Sequence, residues 1–92
     1  MRITFDPSKN ERNIRERALS FELVAEFDFE TAHIQVDSRR EYAEERYVAL
    51  GNLGGRLHVL CFTETPGGIR VISFRKANHR EVKHYAKIQT HD

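Results

Sequence analysis

Ile69-Arg70-Val71-Ile72-Ser73-Phe74-Arg75, then Lys76-Ala77-Asn78, then His79-Arg80-Glu81-Val82-Lys83-His84-Tyr85-Ala86-Lys87-Ile88, is the stretch that decides the fold. Its first seven residues alternate as a strand does, with Ile72 and Phe74 pointing one way and Val71, Ser73 and Arg75 the other. The chain then turns at Lys76-Ala77 into a helix that Asn78 caps, and Glu81, three residues on, completes a capping box. Along that helix Val82, Tyr85 and Ala86 share one face. Strand end and helix start bring Arg75, Lys76, His79 and Arg80 together, and cations beside proton-transfer groups suit phosphate chemistry. A plainer reading stands beside this one. Basic residues on an exposed helix form a solvated face, Glu81 serves as a cap, and Tyr85 is a core tyrosine with its hydroxyl at the rim.

Upstream of this stretch the chain offers a strand, two helices and three more strands. Arg2–Phe5 reads as a short strand, and Asp6-Pro7 starts a helix that runs to about Arg17. The apolar face of that helix is thin, with Ile14 and Ala18 as its main contributors. Ser20 caps a second short helix on which Phe21, Val24 and Ala25 recur, and Phe27 and Phe29 follow as anchors. The period then falls to two, with Ala32, Ile34 and Val36 alternating against His33, Gln35 and Asp37 in a half-buried strand. Asp37–Glu45 is a polar loop, Arg46–Leu50 a strand, and residues 51–55 a glycine-rich turn. Arg56–Thr63 is apolar on both faces and therefore central, and Thr65-Pro66-Gly67-Gly68 turns the chain into the opening strand. Residues 89–92 read as a frayed tail. Short turns between successive strands predict an α+β fold, an antiparallel meander with two N-terminal helices and one C-terminal helix packed on one face.

Ninety-two residues support one domain, 1–92, with a single core. A net charge of +1 conceals an uneven distribution. Residues 1–19 carry five Lys/Arg against three acids, residues 20–64 four against nine, and residues 65–92 six against two. Basic ends around an acidic middle point to an anionic partner met by the ends. One cysteine, Cys61, forms no internal disulfide, and in its apolar run it reads as a buried thiol of a reducing compartment. No apolar run approaches a membrane span and the start is not a signal peptide, so a cytoplasmic protein is expected. The five histidines show no metal-ligand spacing, the glycine pairs sit in hairpins, and no serine has nucleophile-elbow surroundings. No metal or cofactor is expected.

What remains is cationic and acid–base: Lys9 and Asn13 one turn apart, Arg46 after Glu44-Glu45, and the Arg75–Glu81 region. Metal-free RNA cleavage needs a base for the 2′-hydroxyl, cations for the charged transition state and an acid for the leaving oxygen. Spacing alone does not select that chemistry, since Arg46 fits a cross-strand ion pair equally well.

In order along nearly the whole chain, Asp6-Pro7-x-Lys9-x-x-x-Asn13, Ser20-Phe21-Glu22, Glu45-Arg46-Tyr47-Val48-Ala49-Leu50-Gly51, Arg70–Ala77 and Arg80-Glu81-x-x-x-Tyr85 resemble the BrnT family of bacterial toxins. The resemblance implies a RelE-like fold, ribonuclease activity that arrests translation, and neutralisation by a ribbon-helix-helix antitoxin of the BrnA type. It further implies that toxin and antitoxin together repress their operon, so operator DNA is met only through the antitoxin. Its polar signature falls on Lys9, Asn13, Arg46, Arg75, Lys76, Arg80, Glu81 and Tyr85. On this reading Arg75 and Arg80 bind the scissile phosphate, Arg46 assists, and Glu81, His79 and Tyr85 are candidates for proton transfer. Lys9, Asn13, Lys76 and Lys83 are the expected RNA-binding residues. Two departures stand out: Glu16-Arg17-Ala18 replaces the family's usual Lys-His-Gly, and Phe74 replaces a small residue before the arginine. Two other classes share the basic cluster. One is a catalytically weak module that joins an antitoxin as co-repressor. The other is a generic RNA-binding domain, which the lack of interleaved exposed aromatics argues against.

Overall fold

A computed structural model describes residues 1–90 of the chain. Its elements are β1 (Arg2–Thr4), α1 (Pro7–Arg17), a 3-10 helix (Phe21–Glu26), β2 (His33–Val36), β3 (Arg46–Leu53), β4 (Arg56–Thr65), β5 (Gly68–Lys76) and α2 (His79–Thr90). The frayed tail expected at 89–92 gives way to helix through Thr90, and residues 91–92 lie outside the described residues. No described helix is long and apolar enough to cross a membrane.

The fold is α+β, on one five-stranded sheet in the order β1-β5-β4-β3-β2. Strands β2 to β5 form the expected antiparallel meander, with β4 at its centre. β1 makes the sheet mixed. Separated from the meander by both N-terminal helices, it returns to the far edge and runs parallel to β5, Arg2 opposite Gly68.

The helices do not all lie on one face. Ala49, Leu60, Phe62, Val71 and Phe74 join Leu19, Phe21, Val24 and Phe27 in the larger core, under α1 and the 3-10 helix. Leu50, Leu57 and Val59 point the opposite way, where Ala77 and Tyr85 cover them. Each apolar strand residue has its neighbours on the other face, so a central strand apolar on both sides needs cover on both.

Three local periods differ from the sequence expectation, each for a physical reason. In the 3-10 helix the repeat is three, so Phe21, Val24 and Phe27 line up in the core while Ala25 is exposed. In α1, Ile14 is 45% exposed, Ala18 is exposed, and the buried residue is Asn13. The helix docks by amides rather than by an apolar stripe. Asn13 Nδ2 donates to the Leu19 and Phe74 carbonyls at 2.9 Å each, and Asn10 Oδ1 accepts the Phe21 N–H at 2.7 Å. In β5, Cys61 faces Ser73 whereas Phe62 faces Val71, which leaves Ile72 as the extra residue of a β-bulge. Val71 therefore joins Phe74 on the core side, while Ser73 and Arg75 face the other way as expected. At the other end of the sheet, β2 is an edge strand. Ile34 and Val36 are consequently exposed rather than half-buried.

Candidate active site

α2 covers only part of its sheet face. Register carries Val48 of β3, Cys61 of β4 and Ser73 of β5 across the open part, with Val59 opposite Arg75 one step along. They floor a cleft of about 380 Å³ walled by Asp37, Ser38 and Arg39 on one side and by Arg75 and Glu81 on the other. Burial pushes the Cys61 thiol up, which keeps it neutral in the floor.

Arg75 closes β5, and Glu81 reaches it from the first turn of α2. Nη1 donates to Oε1 at 2.9 Å and Nη2 to Oε2 at 2.8 Å, a bidentate pair. Glu81 also closes the expected capping box: its Oε1 accepts the Asn78 N–H at 2.8 Å, and Asn78 Oδ1 accepts the Glu81 N–H at 2.8 Å. The Arg75 guanidinium, then the Asn78 N–H, hold the Glu81 carboxyl below its ordinary value against the opposing effect of burial. A carboxylate so engaged is a weak base. It sets the plane of Arg75, whose Nη1 also donates to the Lys76 carbonyl at 3.3 Å and whose side chain keeps 38% exposure, with Nε and one Nη2 hydrogen uncommitted among the described residues.

The opposite wall is a network that the sequence reading treated as plain loop. Asp37 follows β2, its N–H bonded to the Arg46 carbonyl at 2.7 Å, and its side chain is 1% exposed. Its oxygens accept Arg39 Nε at 2.8 Å, Arg39 Nη2 at 2.7 Å, the Arg39 backbone N–H at 3.2 Å and the Tyr42 hydroxyl at 3.1 Å. The Arg39 guanidinium, foremost, holds the Asp37 carboxyl well below the usual carboxylate range. Tyr42 in turn lies under Arg46, whose guanidinium carbon sits 4.1 Å from the ring centroid. Arg46 also donates to Glu44 at 3.4 Å, so its ion pair is local rather than cross-strand. By alternation from Val48, Arg46 is on the cleft side of β3. The only sequence signal for Asp37-x-Arg39 is an Asx turn at a strand end, the Arg39 N–H bonded to a side chain two residues back.

The remaining expected site residues scatter. His79, Arg80 and Lys83 line a separate groove with Asn78 on the other side of the first turn of α2. Lys76 shares the side of Phe74 by alternation and so faces away from Arg75. Tyr85 packs on the smaller core, and its hydroxyl donates to the Thr31 carbonyl at 2.8 Å, outside the cleft. Asn13 has both amide hydrogens committed, and its Oδ1 accepts Arg17 Nη1 at 2.9 Å. Lys9 lines a groove of about 420 Å³ with Arg12 and Arg17, which meets the main cleft at Ser73.

The arrangement is thus a shallow, neutral-floored cleft with arginines held on opposite walls by carboxylates. Oriented guanidinium N–H groups are suited to hold anions, and among the described residues lining the cleft there is no histidine. Among known families, residues 5–81 match the one described as "Ribonuclease toxin, BrnT, of type II toxin-antitoxin system". The chain belongs to this BrnT family of ribonuclease toxins, whose type II systems pair the toxin with an antitoxin. No curated protein matches it.

Proposed function

We propose that the chain is a metal-independent endoribonuclease that cuts RNA in the cleft beside Arg75. The observation that carries this reading is the Arg75–Glu81 pair, an oriented guanidinium with N–H groups left over in a cleft of a ribonuclease-toxin family member. The substrate's 2′-oxygen attacks the neighbouring phosphorus, the P–O5′ bond breaks, and the products are a 2′,3′-cyclic phosphate and a 5′-hydroxyl. Arg75 would stabilise the extra negative charge as the phosphorane forms, the kind of contribution that oriented donors make most efficiently, and Arg46, on the same sheet face but outside the residues lining the cleft, would assist from a distance. Glu81 keeps Arg75 in place. With no histidine among the described residues that line the cleft, the 2′-hydroxyl proton goes to water or to a phosphate oxygen, the departing O5′ takes up a proton from the same source, and turnover is modest.

The partner on this reading is a BrnA-type ribbon-helix-helix antitoxin that covers the cleft and carries the complex to operator DNA. The missing proton shuttle also favours the second reading, a weakly catalytic module that acts mainly as co-repressor. One experiment separates them. Purified protein with labelled RNA in EDTA should give cyclic-phosphate ends, and the same RNA with 2′-deoxy at the scissile position should bind but stay whole. No cleavage at any protein concentration selects the co-repressor, while activity that dies in EDTA or yields 5′-phosphate ends defeats the metal-free route.

A further inference from the structure

Two guanidiniums face the same cleft, and only one is explained by the chemistry above. Arg39 comes from the loop after β2, lines the cleft opposite Arg75 and has a side chain 75% exposed. Its partner is the reverse: the Asp37 side chain is almost wholly buried. Sinking a carboxylate into the base of an exposed loop is costly unless every oxygen is satisfied, and here four donors meet it. What the arrangement achieves is orientation. Nε and Nη2 of Arg39 are clamped in one plane by the two Asp37 oxygens, which leaves Nη1 and the second Nη2 hydrogen free.

The clamp is braced at two points. The Asp37 N–H is tied to β3 through the Arg46 carbonyl, and the Tyr42 hydroxyl closes the carboxylate from below. Tyr42 also carries the Arg46 guanidinium on its ring, so Arg39 and Arg46 are placed by one network. Across the cleft, the Arg39 charge is near enough to oppose that of Arg75, whose own partner is Glu81. Two like charges lining one cleft, with a neutral floor of Val48, Val59, Cys61 and Ser73 between them, are best relieved by an anion.

We propose that Arg39, fixed by Asp37, is a second phosphate-binding residue that takes the phosphodiester next to the one held by Arg75. Resting on the ribonuclease reading, this makes the ligand of the cleft a single strand that offers two successive phosphates. Arg39 is then a binding residue, Asp37 a positioning residue that acts through it, and Tyr42 links both to Arg46.

The test is binding and cleavage by the full chain, with a short single-stranded RNA and its all-2′-deoxy counterpart as probes. Arg39→Ala should weaken binding of the uncleavable strand about tenfold and reduce the salt dependence of log K by about 0.7, one phosphate's worth for single strands. Arg39→Lys should not restore it, because an ammonium does not form the fork that Asp37 clamps. Asp37→Asn should lose affinity in the same direction, with KM moving more than kcat. Arg56→Ala, a charge-matched change at the start of β4 and outside the cleft, should leave the salt slope alone. A folded Arg39→Ala protein with wild-type affinity, KM and salt slope overturns the proposal even if the protein cleaves RNA. Arg39-dependent binding by a protein that never cleaves RNA would uphold it while removing the ribonuclease reading.

Discussion

Glu81 meets Arg75 with both carboxylate oxygens, at 2.9 and 2.8 Å, while one of those oxygens also accepts the Asn78 N–H that opens α2. A single side chain therefore starts the helix and aims the cleft's central cation. The two jobs separate by substitution. Glu81→Gln keeps an oxygen for the cap and loses the ionic grip, so cleavage should fall while the unfolding midpoint in urea changes little. Glu81→Ala loses both and should destabilise by about 1–2 kcal/mol, the upper part of the range for a lost cap. Equal loss of stability in both variants would make the ion pair structural.

Arg75→Ala should abolish cleavage and growth arrest while costing at most about 1 kcal/mol, since its side chain is partly exposed and its partner retains the Asn78 cap. Arg80→Ala is the informative contrast, because Arg80 lines the separate groove on α2. Its effect on cleavage should be several-fold smaller. Equal, complete loss from both would mean that RNA reaches around the helix.

Asn13→Ala should be chiefly a folding defect. It removes three buried or half-buried hydrogen bonds, takes the Asn13 donor from the Leu19 carbonyl and leaves the Phe74 carbonyl only the long contact to Arg17 Nη1 at 3.5 Å, for about 2–3 kcal/mol. In a domain of this size that is a fall of roughly 10–20 °C in melting temperature. An unchanged melt with lost cleavage would return Asn13 to the RNA-binding role that the resemblance implies.

Ala18 ends α1 in the left-handed conformation, φ 53° and ψ 39°, its N–H bonded to the Ile14 carbonyl at 2.9 Å. A Cβ is unfavourable there, so Ala18→Gly should stabilise the protein by about 0.5–1 kcal/mol. Differential scanning calorimetry would show it, and a lower melting temperature would mean that the methyl group packs better than its exposure suggests.

Acid should unfold the protein through its clamps. Asp37 and Glu81 both have folded values below their ordinary ones, so near pH 4 the folded chain binds fewer protons than the unfolded chain. Their contribution is complete above the unfolded values and fades as pH drops through the folded ones. Urea midpoints should therefore hold between pH 7 and about 5.5 and then fall, and Asp37→Asn should flatten the fall. An acid limb identical in the variant would deny Asp37 its share. At the alkaline end Tyr47, donating to Glu45 at 2.7 Å and Glu64 at 3.2 Å, has its phenol pushed up to about 12.

The strand order of the meander, the central place of β4 and the Asn78–Glu81 box were legible because period, turn glycines and caps are local signals. The resemblance to the family was legible for a different reason, an ordered set of motifs that the match over residues 5–81 bears out. What escaped was set by distant partners. Nothing local says that β1 will lie parallel to β5, that Asn13 will hold a carbonyl 61 residues away, or that Asp37 will sink beneath Arg39. The cluster at the strand–helix junction also looked tighter in sequence than in space. Helix geometry sends Glu81 toward the sheet and turns His79, Arg80 and Lys83 into another groove.

Ile72 gives β5 a change of parity. Before it, Ile69 and Val71 serve the larger core; after it, Phe74 does, and Arg75 falls to the cleft side. One strand thereby feeds two environments in turn, and the count of residues between Val71 and Phe74 becomes as important as their identity. Removing Ile72 would leave Val71 and Phe74 two residues apart, so strict alternation would keep both in the core and Ser73 and Arg75 on the cleft side. β5 thus absorbs the loss of its bulge residue with both faces intact, losing only the local twist that the bulge adds.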